Sequence, residues 1–84
     1  KPEENSKYPE SIRSNGALRA LYDNCGEDEE TALKLHTTIV KARLEGFRNN
    51  PVKANKIKRA LFQLLNDDNE VERIYQIVVE QKEY

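Results

Sequence analysis

The sequence predicts an all-α protein: a compact bundle of about four short antiparallel helices behind a flexible N-terminal lead-in. Three observations predict it. Four successive segments place apolar residues at i, i+3, i+4 and i+7, helix start and stop signals bracket them, and no stretch alternates β-branched and polar residues as a half-buried strand would.

Residues 1–9, Lys-Pro-Glu-Glu-Asn-Ser-Lys-Tyr-Pro, carry two prolines and a polar run, so they read as the lead-in, and residues 10–84 as a single helical domain. The first helix is expected from Ser14 to Cys25, with Leu18, Leu21, Tyr22 and Cys25 on one stripe and Gly26 where a helix ends in a left-handed residue. The second opens on Glu27, Asp28, Glu29 and Glu30, at the positive end of the helix dipole. It continues through Ala32, Leu33, His36, Ile39, Val40 and Leu44 to Gly46, with Lys41 and Arg43 suiting its negative end.

Asn50-Pro51 then supplies an N-cap followed by a proline at the first helical position, where the missing N–H is no loss. The third helix runs to about Asn66, and Ala54, Ile57, Ala60, Leu61, Leu64 and Leu65 form its core stripe. Asp67 and Glu70 have the spacing of a capping box and start the fourth helix, which runs to about Lys82. Its apolar residues (Val71, Ile74, Tyr75, Ile77, Val78 and Val79) spread over about 200°, wider than one core contact needs. Either this helix is central to the bundle or it also docks on something outside it. Connections of about 2–5 residues make neighbouring helices antiparallel.

With 84 residues the chain is one small domain that buries about 60–65% of its unfolded surface, for a stability on the order of 4–12 kcal/mol. There is no room for a catalytic cleft between lobes. Charged residues make up 35% of the chain and hydrophobic ones 37%, but 14 cations against 15 anions leave none of the self-repulsion of a disordered polyelectrolyte. The lone Cys25 cannot form an internal disulfide, no apolar run approaches the roughly 20 residues of a membrane span, and no signal-peptide pattern opens the chain. The expectation is a cytoplasmic protein with no membrane partner. Lys1 at the start and the absence of Met read as a piece of a longer protein.

Few residues could carry chemistry. Cys25 and His36 are the only soft metal ligands, against the four or so that a structural zinc site needs. Both lie on apolar stripes, where Cys25 reads as a small core hydrophobe and His36 as a hydrogen-bonded core residue. Glu80-Gln81-Lys82 matches half of a metal-dependent nuclease motif, but at the end of a helix and without an acidic partner on a strand. The glycines form no phosphate-cradling loop. No catalytic, cofactor or metal residue is therefore expected.

Charge distribution says more than its total. Between Lys41 and Arg59 stand Lys41, Arg43, Arg48, Lys53, Lys56, Lys58 and Arg59 against the single anion Glu45, a local +6 in a chain whose sum is −1. Three readings fit: contacts to nucleic-acid phosphates, contacts to an acidic protein surface, or the solvated face of the third helix. With Ile57 set at zero, Phe62 falls at about 140°, away from the core stripe and among Asn55, Lys58 and Arg59. A large aromatic on a charged outer face is the residue type that anchors interfaces, unless it packs under a loop or against the first helix.

The segments Gly16-Ala-Leu-Arg-Ala-Leu-Tyr-Asp-Asn24, Asp28-Glu-Glu with Ala32-Leu33, Gly46-Phe-Arg-Asn-Asn50, Lys53, Ile57-Lys-Arg-Ala60, Glu70-Val-Glu-Arg-Ile74 and Gln81-Lys-Glu-Tyr84, in this order and spacing, resemble the carboxyl-terminal end of type I restriction enzyme R subunits. The resemblance covers nearly everything after Tyr8. The family tends to have Leu at Cys25, Trp at Phe47 and Gly at Asn49. It implies a parent subunit with a nuclease domain, two ATPase lobes that translocate DNA, and a helical end that associates with the methyltransferase and specificity subunits. ATP and magnesium then belong to other domains of that subunit, and its nuclease and ATP-binding motifs have no counterpart here. Two expectations follow: a docking module that uses Asn55, Lys58, Arg59 and Phe62, or a DNA-binding module that grips duplex phosphates through Arg48, Lys53, Lys56, Lys58 and Arg59.

Overall fold

The computed structural model describes residues 6–80, with side chains up to residue 78. In chain order it forms α1 (Glu10–Arg13), α2 (Gly16–Asn24), α3 (Glu29–Leu44), a 3-10 turn (Phe47–Asn49), α4 (Pro51–Leu65) and α5 (Asp68–Glu80), with no strand among the described residues. The all-α bundle expected from periodicity is thus observed. Consecutive helices pack on one another and α2 meets α5, which closes the bundle around a single core.

Local chemistry explains most boundaries. The side chains of Asn15, Asp28 and Asn50 each accept from two backbone N–H groups of the first turn of α2, α3 and α4, supplying orphan donors with partners. Asp67 does the same for α5, accepting from the N–H groups of Asn69 and Glu70 at 2.8 and 3.1 Å. At the end of α2 the Glu27 N–H reaches the Tyr22 carbonyl at 3.0 Å around Gly26, whose φ of 78° a side chain would resist. Asn66, at φ 56°, ends α4 in the same left-handed region, which Asn tolerates better than most residues.

Four assignments differ from the sequence reading. The folded body reaches back to Tyr8, which is buried, sets its ring edge-on to Tyr22 at 5.6 Å, and donates its hydroxyl to Asp23 at 2.9 Å. Arg13 donates to the Tyr8 carbonyl and holds the segment on α1. Residues 1–5 of the expected lead-in, and the Gln81–Lys82 part of the nuclease-like tripeptide, lie outside the described residues. Second, α1 adds a helical turn and buries Ile12 completely.

Third, the buried stripe of α3 is Ala32, Leu35 and Ile39, turned by part of a residue step from the predicted one. Leu33, His36 and Val40 become its shoulders, and Leu44 is 84% exposed. Fourth, Phe47 takes the core place near that end of α3: the 3-10 turn lays its ring, 1% exposed, against Tyr75 at 6.1 Å. Among the side chains described on α5, Val71, Ile74 and Val78 are buried in the core, with Tyr75 and Ile77 partly buried. The excess apolar width of this helix is in part taken up by Phe47.

Candidate functional site

The basic segment expected to form one face is divided by α4 into two. Toward α5, Lys58, Arg59 and Phe62 line a cleft of about 450 Å³ whose far wall is Asp68, Val71 and Glu72. Toward α3, Lys53 and Lys56 line a different cleft opposite Lys41 and Glu45. Asn55 lies on the exposed crest and lines neither. The helical period brought these residues to the outside of α4, but which neighbour each one faces depends on where α3 and α5 lie.

Within the α4–α5 cleft Phe62 is 39% exposed, so its ring is partly seated between the helices and partly presented to solvent. Lys58 crosses from α4 to α5: its ammonium lies 3.3 Å from Glu72 and 4.5 Å from the centre of the Tyr75 ring. An ion pair this exposed contributes on the order of 0–1 kcal/mol, so it orients the side chain more than it holds the bundle together. Asp68 and Glu72 add two carboxylates to the same walls. The cleft is therefore mixed in charge with an apolar strip between, a composition that suits a protein surface better than a row of phosphates.

The remaining cations are mostly engaged within the chain. Arg48 donates to the Val78 carbonyl at 2.6 Å and stacks over Phe47 at 5.5 Å, tying the 3-10 turn to the end of α5. Lys53 donates to the Glu45 carbonyl at 2.8 Å, close to the end of α3. Of the five cations considered for duplex binding, Lys56 and Arg59 make no hydrogen bond or ion pair among the described residues.

Cys25 is partly buried at the end of α2, with its sulfur 3.6 Å from the Asp28 carbonyl and 3.8 Å from that of Tyr22. Burial pushes its thiol above the ordinary range, against the opposing effect of a hydrogen bond at the Asp28 backbone. His36, half-buried on the shoulder of α3, is held below its usual range by burial first and by the Arg43 guanidinium second. Among the described residues no three His, Cys, Asp or Glu side chains come together in a way that could hold a metal ion. None of their helices is long and apolar enough to cross a membrane.

Comparison with known proteins brings no match: no family model, no curated relative and no solved structure is significantly similar to the chain.

Proposed function

We propose that the chain is the carboxyl-terminal helical docking module of a type I restriction enzyme R subunit, and that it holds the DNA-translocating and cleaving parts of that subunit on the methyltransferase and specificity subunits. The resemblance of the sequence motifs supplies the family. The observation that carries docking is Phe62, an aromatic left partly exposed in a cleft whose rim alternates Lys58, Arg59, Asp68 and Glu72. A half-seated ring can complete its burial against a partner without reordering the bundle, and aromatic anchors surrounded by charges dominate the binding energy of many interfaces.

The duplex-binding alternative has less support. Lys56 and Arg59 alone would give a salt dependence of about two phosphate contacts, weak for a module that grips DNA during translocation. No catalytic role is proposed for the chain; ATP and magnesium would act on other domains of the parent subunit. The test is calorimetric titration of the full chain into a purified methyltransferase–specificity core, with a duplex oligonucleotide titrated in parallel. Saturable binding to the core and only salt-labile binding to the duplex is the expected result. Duplex binding without core binding would replace docking by the DNA reading.

A further inference from the structure

The opposite flank of α4 holds a second recess. The cleft lined by Lys41 of α3, by Glu45 just past its end and by Lys53 and Lys56 of α4 has a volume of about 330 Å³. It runs into another of about 430 Å³, flanked by Leu33 and Thr37 on α3 and by Gln63 and Leu64 on α4. Thr38 and Ala60 line both, so the two form one continuous groove between the helices. From Leu33 to Glu45 the α3 wall is about 18 Å long and from Lys53 to Leu64 the α4 wall is about 16 Å, the length of about three helical turns.

The groove has a chemical polarity. Along its middle the lining is small, with Thr38, Ala42 and Ala60, so another backbone can come close. Leu33 and Leu64 supply apolar surface at one end. At the other end Lys41 and Lys56 are exposed on opposite walls and make no hydrogen bond or ion pair among the described residues. Lys53, on the Glu45 carbonyl, and Lys34, paired with Glu30, also line the groove, against the single carboxylate of Glu45. A duplex would find two ammonium groups without a partner and would leave the apolar stretch uncovered, whereas an apolar ligand without charge would leave the cations unanswered.

From this complementarity we infer that the α3–α4 groove receives an acidic amphipathic helix of another protein, about three turns long. Its apolar residues at i, i+3 and i+7 lie along Leu33, Thr38, Ala60 and Leu64, and its carboxylates face Lys41 and Lys56. Helix-in-groove recognition of this kind draws affinity from the buried stripe and orientation from the flanking charges. This groove shares only Gln63 with the Phe62 cleft, so the two surfaces stand or fall separately.

The probe is a fluorescein-labelled helical peptide of three to four turns with leucines at i, i+3 and i+7 and glutamates on both flanking rows, titrated with the full chain and followed by anisotropy. Binding is expected, weakened about tenfold or more by Lys41→Glu together with Lys56→Glu, and unaffected by Phe62→Ala. Ala60→Arg, which fills the groove, should abolish it. If that variant loses helicity, the lysine pair, which alters only exposed groups, still decides. Equal binding of a peptide with lysine in place of every glutamate, no response to the lysine reversals, or tighter binding of a duplex oligonucleotide through the same two lysines would each overturn the inference.

Discussion

Leu44, the last residue of α3 and expected on its core stripe, is exposed, whereas Phe47, three residues on in the connection to α4, fills the core, and this difference can be measured. Phe47 is 1% exposed and meets Tyr75 edge-on at 6.1 Å, whereas Leu44 is 84% exposed. Truncating a buried Phe to Ala costs about 3–5 kcal/mol, counting the transfer of the ring and the cavity left behind. The lost edge contact accounts for about 0.5–1.5 kcal/mol of interaction with Tyr75. Phe47→Ala should therefore remove about 4 kcal/mol from a total of about 4–12 kcal/mol. With a urea dependence of about 1 kcal/mol per molar, the midpoint should fall by about 3 M or more, or the folded baseline should vanish. Phe47→Leu keeps most of the volume and should cost about 1–1.5 kcal/mol, a loss readable in any background. Leu44→Ala should stay within about 0.5 kcal/mol of wild type. Urea unfolding followed by far-UV circular dichroism measures all three. If Phe47→Leu and Phe47→Ala both unfold with the wild-type midpoint, or if Leu44→Ala costs more than Phe47→Leu, the packing of the 3-10 turn described above is wrong.

Ile57→Asp places a charge in a side-chain site that is 4% exposed, and the several kcal/mol this costs should leave the chain largely unfolded by circular dichroism at room temperature. Tyr8→Phe removes the hydroxyl given to Asp23 and should lower stability by about 1 kcal/mol without altering helicity; no change in melting would detach residues 6–9 from the core. His36 is held below its ordinary range by burial, so between its folded and unfolded pKa values the unfolded chain binds more protons. Stability should be complete above about pH 6.5 and decline as the pH falls through that window, and His36→Gln should flatten the decline.

What the sequence made legible was local. Asn50 and Asp67 announce helix starts through side chains that reach backbone donors two and three residues on, the carboxylates from Glu27 to Glu30 announce the start of α3 through its dipole, and Gly26 and Gly46 announce ends through a backbone sign that other residues resist. What it hid was tertiary. Ile12 lies in a helix of a single turn, too short to show a period, and Phe47 lies in a connection, where no periodic pattern marks a core position. On α3 a broad band of apolar residues left the stripe free to rotate, and only contact with α2 and α4 settles it on Leu35 and away from Leu44. The same limit applies to the site. The helical period correctly brings Phe62 to an exposed position beside Lys58 and Arg59, but it cannot show that Lys58 is shared with Glu72 and Tyr75 or that Lys53 and Lys56 face the other way.

Docking through the Phe62 cleft is tested most directly by the affinity of two variants for the methyltransferase–specificity core and for a duplex oligonucleotide, each at low and high salt. Phe62→Ala, from a position already 39% exposed, should keep the fold and weaken core binding by about 2 kcal/mol while leaving duplex binding unchanged. Replacement of Lys53, Lys56, Lys58 and Arg59 by Gln should then affect the core mainly through its salt dependence. The contradicting result is the reverse: wild-type core affinity for Phe62→Ala, with duplex binding lost in the four-cation variant and its salt slope reduced by about 0.9 for each phosphate contact removed.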